Sequence, residues 1–124
     1  MALHDTLTSL PNRILFQDRL EQLLKIGQRN NSRFLVASID LTKFKAINDN
    51  YGHHIGDLIL IEVAQRLSGV LRSTDTLARM GGDEFYALIT LTNDSDGELI
   101  VQKFFAALQA PFLFNDSDLV SLLI

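Results

Sequence analysis

The feature that most constrains this chain is a run of two glycines and two acids, residues 81–84, between two short β-leaning segments. The first segment, 75–80, reads Asp-Thr-Leu-Ala-Arg-Met, and the second, 85–90, reads Phe-Tyr-Ala-Leu-Ile-Thr. Apolar or β-branched runs on either side of a glycine-containing turn are typical of a β-hairpin. The sequence therefore predicts an antiparallel strand pair with both glycines and both acids at its tip.

This tip has the composition of a site for phosphate and metal. Gly81 and Gly82 can take positive φ and carry no side chain, so a phosphate can approach the main chain closely. Asp83 and Glu84 add hard oxygen ligands, which suit magnesium beside substrate phosphates. An ordinary solvated turn is the competing interpretation, because glycine and aspartate are common turn residues.

A second polar cluster follows a predicted strand, residues 34–40, which ends on Asp40. The next segment, 41–57, reads Leu-Thr-Lys-Phe-Lys-Ala-Ile-Asn-Asp-Asn-Tyr-Gly-His-His-Ile-Gly-Asp. Each polar residue has a simple structural interpretation. Asp40 could cap the following turn, and Asn48 and Asp57 could cap helices.

Together these motifs resemble the GGDEF family of diguanylate cyclases. Order and spacing agree across the whole chain, which is not expected of chance matches to short patterns. The matching positions are Asp5, Leu7, Thr8, Leu10, Pro11, Asn12, Arg13, Asp40, Phe44, Lys45, Ile47, Asn48, Asp49, Tyr51, Gly52, His53, Gly56, Asp57, Arg79 and 81–85.

Composition indicates one domain, because 124 residues with 47% apolar and 21% charged side chains suffice for one core and not for two. The net charge of −4 predicts no nucleic-acid partner. Without cysteine, disulfides and thiolate metal sites are excluded, which is compatible with a reducing cytosol. No apolar run approaches the about 20 residues of a membrane span, and the start lacks the features of a secretory signal. We expect a cytoplasmic domain that itself contacts no membrane, although its parent could be membrane-anchored.

Helical and strand-like patterns alternate along the chain. Helices are predicted from Pro11 to about Lys25, near 43–50 with an end at Tyr51 and Gly52, from a cap at Asp57 to Leu71, and from Glu98 to Ala110 before Pro111. A turn is predicted at 115–118 and a further strand at 119–124.

This order predicts an α/β sandwich of the α+β type, with helices around an antiparallel or mixed sheet. The resemblance implies a palm-like sheet similar to that of nucleotidyl cyclases. It also implies that residues 1–124 are a partial GGDEF domain, because the family continues through a Ser-Ile-Gly strand, a helix and a Lys-x-x-x-Arg segment that grips the terminal phosphates. We therefore expect a fold that is incomplete at the C-terminus, with an exposed sheet edge and exposed apolar surface.

The resemblance implies a metal-dependent diguanylate cyclase that condenses two GTP into cyclic di-GMP and pyrophosphate. Asp40 and Asp83 would hold Mg²⁺ or Mn²⁺ on the GTP phosphates, with Glu84 assisting and the backbone carbonyl of Leu41 as a further ligand. Asp83 would also help activate the ribose 3′-hydroxyl, which makes Asp83 and Glu84 the implied catalytic residues. Cations suit this reaction because they neutralise charge that develops at the α-phosphate. Each subunit would hold one GTP, so catalysis implies a homodimer.

Substrate recognition is implied at two further places. Asn48 and Asp57 match the family's guanine-reading pair, and a carboxylate can accept from both the ring N–H and the exocyclic amine of guanine, a donor pair that adenine lacks. His53 and His54 are left out of the metal site, because a cation held by oxygens does not require imidazole.

The phosphates are the second part of the implied substrate site. Backbone N–H groups around Lys43, Phe44 and Lys45 would cradle them at the start of a short helix. Gly81 and Gly82 would leave room for the nucleotide.

Regulation and departures from the family complete the sequence-based picture. Arg72 and Asp75 fit an R-x-x-D pattern that in the family binds cyclic di-GMP as an allosteric inhibitor, and a surface ion pair is the competing interpretation. Thr42 stands where family members usually carry a second acid. The main functional alternative is a non-catalytic module that binds GTP or cyclic di-GMP, for example in a GGDEF–EAL phosphodiesterase. The parent could instead carry a fused sensor domain. A purely structural dimerisation domain would leave the matched polar residues idle.

Overall fold

The computed structural model describes residues 2–93, 95–114 and 118–120. In chain order, the elements are α1 (Arg13–Asn30), β1 (Arg33–Asp40), α2 (Phe44–Tyr51), α3 (His53–Val70), β2 (Thr76–Gly81), β3 (Glu84–Leu91), α4 (Asp96–Gln109), β4 (Phe112–Phe114) and β5 (Asp118–Val120).

The central sheet has three strands in the order β1-β3-β2, and both pairings are antiparallel. The β1–β3 register runs without interruption from Arg33 opposite Leu91 to Asp40 opposite Glu84. β4 and β5 form a separate antiparallel pair. The predicted sandwich of helices on an antiparallel sheet is confirmed.

Both faces of the sheet are covered, because successive side chains of a strand point to opposite faces. Phe85, Ala87 and Ile89 of β3 pack into the larger core with α2, α3 and α4. Leu88 points the other way and packs with Phe16 of α1. Burying one such apolar side chain contributes about 1.5–3 kcal/mol, so the alternation along β3 largely determines which helices cover which face.

One edge of β1 has no strand beside it within the described part of the chain. Next to this edge, an apolar groove of about 120 Å³ runs between β1 and α4 and ends at Asp40. Phe105 of α4 lines the groove and is 46% exposed. The exposure of Phe105 agrees with the expected apolar surface.

Two predicted helix boundaries were wrong. α1 continues through Gly27 to Asn30 rather than ending near Lys25, because no proline interrupts it before Asn31, which takes left-handed φ of 55°. α3 begins at His53, so Asp57 lies inside the helix and does not cap it. Gly52 explains the early start, since its φ of 90° lets the chain turn from α2 directly into α3.

The other elements match the predictions more closely. β1, α2, β2 and β3 agree to within two residues at each end, and α4 ends just before Pro111 as expected. β4 was not predicted. Of the predicted C-terminal strand, 119–120 lie in β5 and 121–124 fall outside the described residues, as do 115–117 of the predicted turn. In the described part of the chain, no helix is long and apolar enough to cross a membrane.

Arg66 of α3 binds the backbone at the C-terminal end of α4. Its guanidinium donates to the backbone carbonyls of Ala107, Ala110 and Pro111 at 3.3, 2.7 and 3.3 Å. It also lies 4.0 Å from the ring centroid of Phe112. The contacts satisfy carbonyls that the end of α4 leaves without helical partners, and no sequence signal pointed to them.

Candidate active site

The hairpin tip adopts the conformation that its glycines permit. Gly81 has φ of 147° and Gly82 has φ of 49°, both in the region that side chains disfavour. Gly81 pairs with Glu84, so Gly82 and Asp83 form the two-residue turn. A Cβ at either glycine would meet nothing within 4 Å. Conformation rather than crowding therefore requires glycine here, and the space beside the turn is open.

Arg79 fastens this turn to the beginning of the chain. Its Nε and Nη2 donate to the carbonyl of Gly82 at 3.0 and 2.9 Å. Its Nη1 donates to Asp5 Oδ1 and Oδ2 at 3.0 and 3.2 Å. Asp5 also accepts from the backbone N–H and the hydroxyl of Thr8, at 2.9 and 2.8 Å. One guanidinium thus joins the turn to the loop before α1.

The Asp5 carboxyl is the titratable group of this connection. Burial acts to raise its pKa, but hydrogen bonds from Thr8 and Arg79, together with the charge of Arg79, outweigh burial and leave the pKa below its usual value. Asp5 is therefore ionised at neutral pH and balances the Arg79 charge.

Three acids predicted as metal ligands lie at one end of the sheet. Asp40, the last residue of β1, lies directly opposite Glu84, the first residue of β3. Opposite residues of an antiparallel pair project from the same face with Cβ atoms about 4.5–5.5 Å apart. The Leu41 N–H donates to the carbonyl of Asp83 at 3.3 Å, which holds the third acid at the same end. Two like charges face each other here, and such pairs destabilise a sheet unless a cation balances them.

The donor set suits a hard divalent cation, although it is not a preformed cage. Carboxylate and carbonyl oxygens are the ligands of Mg²⁺, which usually binds one or two carboxylates and completes its shell with water and phosphate oxygens. Among the residues described, no three His, Asp or Glu side chains form a metal-binding group. The Leu41 carbonyl accepts a long bond of 3.4 Å from the Phe44 N–H, which leaves its second lone pair open.

The predicted guanine-reading residues lie at the corner between α2 and α3. Asn48 is half-buried on α2, and Asp57 is exposed on α3. The residue before Asp57, Gly56, packs directly against the Asn48 amide. The structure therefore brings the two elements of the predicted pair together.

The predicted phosphate-binding segment starts α2. Lys43 has left-handed φ of 67° and caps the helix without a side-chain hydrogen bond. Lys43 and Lys45 are exposed, whereas the Phe44 ring is buried in the core. Phe44 can therefore contact a ligand only through its backbone.

The R-x-x-D residues are paired, but they are not a simple surface ion pair. The Asp75 side chain is 0% exposed. It accepts from the N–H and Nε of Arg72 at 3.0 and 3.2 Å, and from the N–H of Thr90 at 3.1 Å. Arg72 also donates to the Thr90 carbonyl and lies 4.0 Å from Asp96. The hydrogen bond to Asp75 raises the pKa of Arg72. The Asp75 carboxylate therefore has a structural role. The Arg72 side chain is 42% exposed, so only part of it faces solvent.

The acids and the asparagine predicted to bind substrate and metal differ from Asp5 and Asp75 in their side-chain contacts. Within the described part of the chain, their side chains form no hydrogen bond or ion pair. The residues concerned are Asp40, Asn48, Asp57, Asp83 and Glu84. The fold does not use their polar side-chain groups, which leaves these groups available to a ligand.

The comparisons with known proteins show the family. The family model described as "Diguanylate cyclase, GGDEF domain" matches residues 2–123. The chain is 49% identical over 112 residues to MucR of Pseudomonas aeruginosa, named a bifunctional diguanylate cyclase/cyclic di-GMP phosphodiesterase, and covers 16% of it. That match takes in 90% of this chain.

Solved structures show the same fold. The GGDEF domain of TpbB from P. aeruginosa, 42% identical, superposes with a TM-score of 0.92 over 96% of this chain and 70% of that one. A coiled-coil and GGDEF structure of DgcB from Caulobacter crescentus, solved in complex with c-di-GMP, is 25% identical with a TM-score of 0.86, over 96% of this chain and 62% of that one.

The fold and the family match together define a palm-like cyclase domain. The chain belongs to the GGDEF family of diguanylate cyclase domains. It spans about a sixth of the length of MucR and 28% of that of the diguanylate cyclase TpbB.

Proposed function

We propose that this chain supplies the substrate half-site of a diguanylate cyclase, which condenses two GTP into cyclic di-GMP with release of two pyrophosphates. The observation that carries the proposal is the location of Asp40, Asp83 and Glu84 at one end of the sheet, with no side-chain partner among the described residues. Because GTP is a cytoplasmic nucleotide, the proposal places the domain in the cytoplasm.

The acids hold the reacting phosphates through a divalent cation. Asp40 and Asp83 would bind Mg²⁺ or Mn²⁺, with Glu84 and the Leu41 carbonyl in support. The bound cation supplies charge neutralisation at the phosphates. Asp83 also accepts the proton of the ribose 3′-hydroxyl, whose oxygen attacks the α-phosphate of the second GTP and displaces pyrophosphate. Thr42 is uncharged, so the acids of the hairpin tip carry most of the negative charge.

Recognition of GTP begins at the guanine base. Asp57 accepts from its ring N–H and exocyclic amine, and the Asn48 amide supplies a further hydrogen bond. The two residues lie on adjacent helices joined through Gly52 alone, so a base can contact both.

The phosphates bind at the N-terminal end of α2. Backbone N–H groups of Lys43, Phe44 and Lys45 face them at the helix start, where the positive end of the helix dipole favours an anion. The Phe44 N–H makes only a long bond of 3.4 Å, to the Leu41 carbonyl. Gly81 and Gly82 let the nucleotide approach the hairpin tip.

Ring closure requires two such half-sites. Each subunit holds one GTP, and each 3′-hydroxyl attacks the α-phosphate held by the other subunit, so the active species is a homodimer. Arg72 supplies the regulatory contact for cyclic di-GMP through the exposed part of its side chain, and the buried Asp75 carboxylate holds Arg72 in place. A parent protein would bring fused sensor or EAL domains, as the bifunctional name of MucR suggests.

The second candidate is a binding module without catalysis, which senses GTP or cyclic di-GMP for a fused phosphodiesterase. The bifunctional relative favours it. In that case the chain binds GTP, but Asp83 performs no proton transfer.

One experiment distinguishes the cyclase from the binding module. This chain and a form extended at its C-terminus are incubated with GTP and Mg²⁺, and cyclic di-GMP is measured by chromatography. Glu84→Gln is compared with Glu21→Gln, an identical change at an exposed position of α1. Product that Glu84→Gln abolishes and Glu21→Gln spares supports the cyclase. GTP binding without product from either protein favours the regulatory module, and no GTP binding by either contradicts both.

A further inference from the structure

Gly56 of α3 is packed against Asn48 of α2 more closely than any side chain would allow. A Cβ built on Gly56 would lie 1.8 Å from Asn48 Oδ1 and 3.0 Å from its Cγ. It would also lie 3.3 Å from Phe44 Cζ. Gly56 is buried, so an added methyl group would point into the protein and not into solvent.

The helix itself does not require glycine at this position. Gly56 is in the first turns of α3 and does not have positive φ. Alanine is the better helix former, so the backbone would favour the substitution. The atom in the way is the end of a flexible amide, which can rotate aside, while the Phe44 ring needs to yield only slightly. The constraint therefore comes from the position of the Asn48 amide.

No hydrogen bond within the described residues holds that amide in place. Its position depends instead on free space, because the amide oxygen lies where a side chain at position 56 would begin. The next residue along α3 is Asp57, so the same turn of helix carries one base-reading residue and positions the other.

We propose that Gly56 is a positioning residue that sets guanine specificity by leaving the space in which the Asn48 amide lies. The inference rests on the proposed function for its link to GTP. A side chain at position 56 turns the amide away from the base without disturbing the fold. Preference for GTP over ATP then falls because the hydrogen bond from Asn48 is lost.

Gly69 provides a matched control. It lies in the same helix, and a Cβ there would meet nothing within 4 Å. We expect Gly56→Ala to weaken GTP binding at least tenfold by calorimetry and to leave the weak binding of ATP unchanged. Gly69→Ala is expected to bind both nucleotides as the unsubstituted chain does. Thermal unfolding midpoints of both variants should equal or exceed that of the unsubstituted chain.

A double substitution distinguishes positioning from damage to the fold. Asn48→Ala alone should lose the same affinity, and Gly56→Ala should add no further loss in the Asn48→Ala chain, because the clashing amide is gone. An additional loss in the double variant, or unchanged GTP affinity in Gly56→Ala, would overturn the inference.

A readout without nucleotide separates this inference from the proposed function. The side-chain ¹⁵N–¹H resonances of Asn48, assigned by their absence in Asn48→Ala, should shift in Gly56→Ala and not in Gly69→Ala. If the unsubstituted chain does not bind GTP, the proposed function fails, and these resonances still test whether Gly56 positions the amide. Unchanged resonances in Gly56→Ala contradict it.

Discussion

Arg79 Nη1 lies 3.0 Å from Asp5 Oδ1, and the same guanidinium donates to the Gly82 carbonyl at the hairpin tip. The two residues are 74 positions apart in the chain. Both side chains are largely shielded, at 15% and 19% exposure. The pair connects the segment that precedes α1 with the turn that carries Asp83.

Replacing Arg79 by lysine tests this connection. Lysine keeps the charge but cannot contact two partners with a planar fork, so we expect a loss of about 1–3 kcal/mol in the free energy of unfolding. Urea unfolding measures the loss, and proteolysis of residues 2–12 should accelerate. Arg29→Lys, at the exposed end of α1, is the matched control. Equal stability of the two variants would show that the fork is dispensable.

Acid should weaken the same connection. The pKa of Asp5 is lower in the folded chain than its usual value, so the folded state favours the ionised carboxyl. Its stabilising contribution is complete above the unfolded-state pKa and is lost as pH falls through the folded-state value. Asp5→Asn should therefore reduce the loss of stability on acidification, measured by urea unfolding from neutral pH downwards. An unchanged pH dependence would exclude Asp5 as a contributor.

Asp40 is expected to lower the stability of the unliganded chain and to be required for binding of Mg²⁺ with GTP. In the absence of a cation, Asp40→Asn removes the repulsion with Glu84, and we expect a gain of about 0.2–1 kcal/mol. Adding Mg²⁺ with GTP should raise the melting temperature of the unsubstituted chain and not that of Asp40→Asn. Thermal unfolding with and without Mg²⁺ and GTP measures both effects. Glu21→Gln should respond to Mg²⁺ and GTP as the unsubstituted chain does, and a Mg²⁺ and GTP response that survives in Asp40→Asn would remove Asp40 from the metal site.

Arg72 and Asp75 should separate into a binding role and a structural role. Arg72→Ala is expected to abolish cyclic di-GMP binding by calorimetry, because its exposed guanidinium surface is the proposed contact. Asp75→Ala is expected to cost about 1–3 kcal/mol of stability, since its buried carboxylate accepts from the N–H groups of Arg72 and Thr90. Unchanged product binding by Arg72→Ala would contradict the regulatory site.

The features that sequence alone predicted are local ones. Positive φ at Gly81 and Gly82, the strand end at Asp40 and the end of α4 before Pro111 all follow from the conformations that single residues allow. The spacing of the polar motifs also identified the family, because it is a property of the linear chain.

Only the tertiary structure decided which residues meet. The register that puts Asp40 opposite Glu84, the burial of Asp75 and the packing of Asn48 on Gly56 depend on how separate segments close against one another. The same holds for the pairing of Arg79 with Asp5. Local residue preferences carry no information on such contacts, because their free energy comes from surfaces that are brought together only when the chain folds.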